Sequence, residues 1–328
     1  MRVTFCETCG APLDARWSEI VLVCRYCGSQ NAPGGRGEPV PSSVPDDERP
    51  RLAVAGRTYA VEGLLARGDS SHVYRGRWVR RLGELVVLKV LRALRDADLL
   101  RREYNVLQRL QASDVAGAEQ LVRRLPQPIG IGPCRDAPEG RWVAVYGWQS
   151  GYQHALAEVL QEHPDGVAGE VAVWLFKRVL ELLGFVHRAG WVHGAVLPPH
   201  VLVHPRDHGA ILVGWSATTA LDGAERLPAV SGNWRQFYPS QALAGGEVTP
   251  ATDIAMAARS VLAAAGAKGF DRAPALPAPL ARLLVDAASG RHDDAWALVN
   301  EVQQVSLTCF GPPSYHPIRM PSWNIAPR

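Results

Sequence analysis

The spacing of apolar residues changes several times along the chain, and each change marks an element. WSEIVLV (17–23) reads as a strand, and ELVVLKVL (84–91) as an alternating, β-branched one. The rhythm then lengthens. In DADLLRREYNVLQRL (96–110), Leu100, Glu103, Leu107 and Leu110 recur at three- and four-residue spacing, which predicts a helix with Glu103 on its buried face. VAVWLFKRVLELLGFVHR (171–188) is apolar almost all round and predicts a long buried helix. HVLVHPRDHGAILVGWS (200–216) fits two short strands around a polar turn, with Asp207 as a solvated turn residue. TPATDIAMAARSVLAA (249–264) predicts another helix, with Asp253 near its start.

Two stretches break these rhythms. Residues 32–50, APGGRGEPVPSSVPDDERP, hold five prolines and three glycines with almost nothing apolar, and so read as a mobile linker. Residues 306–328 carry five prolines with Phe310, Tyr315 and Trp323 spread between them. That composition predicts a non-helical tail, too aromatic for a plain linker, that packs back on its own body or serves as a docking peptide.

The bulk numbers narrow the function classes. The 328 residues are 47% hydrophobic and 20% charged, an ordinary globular composition. A formal charge of +3 is too small to argue a general affinity for nucleic acid or acidic membranes. No apolar run reaches the roughly 18 residues needed to span a bilayer, and the start, MRVTFCETCG, lacks the apolar segment of a secretory signal. Four of the six cysteines fall in two close pairs, which suits metal binding in a reducing compartment; the cytoplasm is the expected location. Cys134 and Cys309 have no partner at ligand spacing.

The pairs are Cys6-x2-Cys9-Gly10 and Cys24-x2-Cys27-Gly28. Each C-x-x-C turn aims two thiolates at a common centre, and the following glycine permits the tight backbone turn. Residues 1–31 closely resemble a zinc ribbon. Four thiolates close the coordination sphere, so a single Zn2+ held by Cys6, Cys9, Cys24 and Cys27 would be structural. Arg2, Arg16 and Arg25 are balanced by Glu7, Asp14 and Glu19, which leaves no electrostatic footprint for nucleic acid.

From about residue 51 the order of elements resembles that of protein kinases. YAVEGLLARGDSSHVYRG (59–76) looks like the first two strands and their glycine-rich turn, with Ala66, Gly68, Ser71 and Val73 against G-x-G-x-x-G-x-V. Lys89 takes the place of the V-A-I-K lysine, and Glu103 that of its helix partner. WVAVYGWQSGYQHALAEVL (142–160) resembles the last small-lobe strand, the hinge and the first large-lobe helix. WVHGAVLPPHVLV (191–203) keeps the frame of the catalytic loop. Gly214-Trp215-Ser216 stands where kinases have D-F-G, Tyr238-Pro239-Ser240 at the A-P-E position, and SGRHDDAWALVNEVQQ (289–304) at the closing helix region. The resemblance implies an α+β chain. A bilobal protein-kinase-like fold over residues 51–305 follows a zinc ribbon (1–31) and a linker (32–50), and precedes a tail (306–328).

The same comparison implies a lost reaction. Phosphoryl transfer is mostly positioning and charge neutralisation, with magnesium held by the D-F-G Asp and the loop Asn. Here those positions are Gly214 and His200; the base is replaced by Ala195 and the phosphate-neutralising residue by Leu197. The expectation is a pseudokinase with no phosphoryl transfer. Lys89 is one of only three lysines in an arginine-rich chain, and it fits an ion pair with Glu103. By the resemblance, His193 and Trp215 join Leu107 in a column of core side chains, and Asp253 hydrogen-bonds the backbone around His193. Nucleotide binding at Gly68, Val73, Lys89 and Glu103 stays open: Lys89 and the apolar hinge favour ATP without Mg2+, whereas Ala66, Ser71 and the missing magnesium ligands disfavour it. The implied function is a regulatory or scaffolding module in bacterial signalling. Its partners would be proteins, with phosphatases and von Willebrand-type adaptors as companions by analogy. A kinase-fold enzyme of altered chemistry, such as nucleotidyl transfer, is the alternative.

Overall fold

The computed structural model describes residues 2–15, 19–32, 49–81, 83–134, 141–223, 225–273 and 275–321. Two compact units result, one from residues up to Tyr104 with Gln127–Trp148, the other from Asn105–Pro126 with Gln149–Pro321.

The first unit opens with two hairpins, β1 (Arg2–Phe5) with β2 (Pro12–Ala15) and β3 (Leu22–Val23) with β4 (Gln30–Asn31). An antiparallel sheet follows, built from β5 (Arg51–Val54), β6 (Arg57–Arg67), β7 (Ser71–Trp78), β8 (Leu85–Leu91), β9 (Pro128–Pro133) and β10 (Trp142–Gly147). Its strand order is β5-β6-β7-β8-β10-β9. In register, Val73, Lys89 and Ala144 lie side by side, as do Tyr74, Leu88 and Val145. The pleat sends these two sets to opposite faces. Helix α1 (Ala97–Gln111) brings Glu103 to the Lys89 face.

The opposite face is apolar, and the hairpins cover it. Ile20, Val21 and Ala32 belong to one buried cluster with Tyr59, Tyr74 and Leu88. The ribbon expected to move on a linker is therefore packed onto the sheet. The reason is visible in LVVLKVL and WVAVY: strands apolar on both faces need cover on both. Residues 33–48 of the linker lie outside the described residues, but its two flanks, Ala32 and Pro50, are buried, and the Pro50 carbonyl accepts the Val61 amide at 2.8 Å.

The second unit is mainly helical. Its helices are α2 (Ala118–Leu121), α3 (Leu156–Glu162), α4 (Gly169–Arg188), α5 (Ser240–Leu243), α6 (Pro250–Ala264), α7 (Ala278–Ala288) and α8 (Ala295–Phe310). β11 (His154–Ala155), β13 (Val201–His204) and β14 (Gly209–Leu212) form a small sheet, and β12 (Trp191–Val192) pairs with β15 (Thr219–Ala220). α4 is its axis, packed against α6, α8 and β14. The α4–α8 approach depends on Gly184, where an added β-carbon would lie 2.4 Å from the Trp296 indole. No helix among the described residues is long and apolar enough to cross a membrane.

The expected tail boundary needs correction. Residues 306–310 are not tail but the last turns of α8, which Asp294 caps at its start and Gly311, with φ 75°, ends. Pro312 and Pro313 follow and forbid continuation. Residues 311–321 then lie along the second unit. Tyr315 stacks on His208 at 4.9 Å, and His208 on Trp174 at 4.7 Å. The Tyr315 hydroxyl donates to the Arg206 carbonyl at 3.0 Å, and the Ile318 amide to that of Pro205 at 3.2 Å, with Ile318 buried. Trp323 lies outside the described residues.

Candidate functional site

Three groups of side chains carry chemistry. In the hairpins, the sulfur atoms of Cys6, Cys9, Cys24 and Cys27 all lie within 4.8 Å of one another. Cys6 and Cys27 are 3.6 Å apart, Cys9 and Cys24 3.7 Å. A tetrahedral ion with Zn–S bonds of about 2.3 Å requires sulfur–sulfur edges of about 3.8 Å, so the four thiolates fit a metal such as zinc. The Ser29 hydroxyl sits 3.0 Å from Cys6 Sγ and 3.1 Å from Cys27 Sγ. Its hydrogen bond is the main reason that Cys6 is lowered to about 5, and it lowers Cys27 as well. Cys9 behaves oppositely. A hydrogen bond from Ala11 favours its thiolate, but the neighbouring Cys27 sulfur and burial drive it up to about 12. Four thiolates at this spacing repel one another, and a bound cation is the natural counter-charge.

The second group lies on the inner face of the sheet. Lys89 Nζ donates to Glu103 Oε2 at 2.7 Å. The other carboxylate oxygen is occupied too, because the Tyr146 hydroxyl donates to Glu103 Oε1 at 3.0 Å. Burial, with the carboxylate beside it, raises Tyr146 well above its usual value, so it remains a donor throughout the physiological range. Sequence reasoning passed over Tyr146. The signal was available: two residues after Ala144, it must share the Lys89 face of the sheet. Val73 faces Lys89 across β7 and β8. Gly68 closes a tight turn, its amide donating to the Ser71 carbonyl at 2.8 Å, and Arg92 donates to the Gly68 carbonyl at 3.3 Å.

The third group lies in the helical unit. His193 is fully buried and meets Trp215 edge-on at 4.4 Å. Asp253, also fully buried, accepts the amides of His193 at 2.7 Å and Gly194 at 2.8 Å. It also meets His187 Nε2 at 3.0 Å, a partner the sequence did not suggest. Ala195 and Leu197 are buried. His200 Nδ1 lies 2.9 Å from the Ala195 carbonyl. A carbonyl can only accept, so this nitrogen carries the proton. The same imidazole packs over Gly214. A β-carbon at Gly214 would lie 2.6–2.7 Å from three of its ring carbons, and the backbone there is left-handed, with φ 79°. Asp207 is in the exposed β13–β14 turn, bonded to His204.

No protein-family model and no curated protein matches the chain. Among solved structures, the chain is similar to the crystal structure of the BubR1 kinase domain, with a TM-score of 0.60 at 13% sequence identity, over 82% of this chain and 85% of that one. The fold is kinase-like. At that identity the likeness establishes the kinase-like architecture alone, and the kinase-like chain's activity rests on its own residues.

Proposed function

We propose that this chain is a pseudokinase, a kinase-like fold that binds protein partners and transfers no phosphate. One observation carries the reading: the imidazole of His200 packs on the α-carbon of Gly214. By the kinase resemblance, these two positions would supply the magnesium ligands. One has no side chain, and the ring of the other fills the space into which a carboxylate at 214 would have to grow. The Nδ1–H of His200 is engaged by the Ala195 carbonyl. Ala195 itself offers no base, and Leu197 no charge. Lys89 is held by Glu103, whose carboxylate is shared with Tyr146. That arrangement suits a brace between β8 and α1 as well as it suits a phosphate ligand. The polar machinery that remains therefore supports the scaffold. Its role would be regulatory or scaffolding, through protein partners in bacterial signalling.

The test is incubation of the full chain with labelled ATP, magnesium and a generic protein acceptor, followed by intact-mass analysis. The reading predicts neither transferred phosphate nor added AMP. Phosphate transfer that disappears in Lys89→Met would overturn it, and added AMP would establish the nucleotidyl-transfer alternative.

A further inference from the structure

We propose that the cysteine cluster is a metal-dependent cover for the sheet: occupancy of Cys6, Cys9, Cys24 and Cys27 holds the hairpins on the outer face and fixes the turn at residues 67–71. The hairpins have almost no core of their own. Their separate buried cluster is Cys6, Leu13, Leu22 and Cys24, so half of it consists of the ligands themselves. A module that small keeps its shape through its metal. What it buries lies on the sheet side, where Ile20, Val21 and Ala32 join Tyr59, Tyr74 and Leu88.

Polar contacts connect the ligand loops to specific points of the sheet. Arg67 pairs with Glu7, which lies between the first two ligands, at 2.5 Å, and donates to the Ala32 carbonyl at 3.1 Å. It is the residue immediately before Gly68. The Tyr74 hydroxyl donates to the Ile20 carbonyl at 2.6 Å, and Arg141 to Gln30 Oε1 at 2.6 Å. Within the hairpins, the Glu7 amide donates to Asn31 Oδ1 at 2.9 Å, and Asn31 Nδ2 to the Ser29 carbonyl at 3.1 Å, which ties the two knuckles together. Metal loss frees both knuckles, and with them Glu7, Ile20, Gln30 and Ala32. The sheet then loses its polar anchors and presents an apolar face of the kind that recruits protein partners or aggregates.

The experiment is hydrogen exchange on the full chain, zinc-loaded and after removal of zinc with phenanthroline, with the released metal quantified. Amides in β6 and β7 are expected to exchange about tenfold faster or more in the stripped protein, while α4 and α6 keep their protection. A second arm uses Arg67→Met. It should retain one zinc per chain and still exchange faster at residues 67–75. Sheet protection unchanged on stripping, loss of protection in α4 and α6 alongside it, absence of bound metal, or an Arg67→Met turn that exchanges like wild type would each overturn the proposal.

Discussion

Replacing Asp253 with alanine should be among the most damaging single changes in the helical unit. Its carboxylate is fully buried and serves three donors: the amides of His193 and Gly194, and His187 Nε2. Alanine leaves two buried amides without an acceptor, each costing about 1–3 kcal/mol. These losses share one carboxylate and do not simply add; with the charged hydrogen bond to His187 they amount to about 3–5 kcal/mol, the range for removing one partner of a buried pair. At roughly 2–4 °C per kcal/mol for a unit of this size, the melting temperature should fall by about 6–20 °C. Asp253→Asn keeps one acceptor oxygen but turns an amide NH2 toward a backbone N–H, so about half the loss is expected. Thermal melts followed by circular dichroism measure both variants. An Asp253→Ala protein that melts within about 2 °C of wild type would refute the assignment of Asp253 as the anchor of residues 193–194.

Other changes probe other links. Tyr146→Phe removes the donor on Glu103 Oε1 and should cost about 1–3 kcal/mol in urea denaturation, with an unchanged midpoint contradicting the network. His72 is buried with no hydrogen-bond partner at either ring nitrogen among the described residues, and burial, helped by the charges of Arg92, Arg67 and Arg141, lowers it to about 3. Between pH 6.5 and 3 the unfolded imidazole takes up a proton that the folded one refuses, so stability falls with pH by about 1.4 kcal/mol per unit. His72→Phe should flatten that slope, and an equally steep profile in the variant would place the acid sensitivity elsewhere. Gly184→Ala should cost about 1–3 kcal/mol by pushing on Trp296, measured by chemical denaturation; a neutral result would mean that α4 and α8 separate freely.

Much of this could be read from residue spacing. The period of Leu100, Glu103, Leu107 and Leu110 places Glu103 on the inner side of α1, where it meets Lys89 at 2.7 Å. The two C-x-x-C turns specify a four-sulfur cluster that the structure assembles within 4.8 Å. What was not legible depends on distant contacts or on backbone conformation. Periodicity says that the outer face of β6–β8 is apolar, but not that Ile20, Val21 and Ala32, some 27–68 positions earlier, cover it. That part of the sequence looked like a free module because a proline-rich stretch intervenes. The His200 ring over Gly214 depends on a left-handed backbone that the residue names leave unspecified. The end of α8 is legible in the sequence, five residues beyond the expected tail boundary at 306. Gly311 followed by Pro312 and Pro313 is a helix stop, whereas the overall composition of residues 306–328 drew the boundary five residues short.

The proposed pseudokinase role requires that the His200–Gly214 pair leave no place for a divalent ion beside a triphosphate. Electron spin resonance of Mn2+ with ATP, titrated with the full chain, addresses it directly. The prediction is a signal indistinguishable from Mn2+–ATP in buffer at every protein concentration. A protein-dependent, broadened spectrum that persists in the zinc-loaded protein but vanishes in His200→Ala would contradict it.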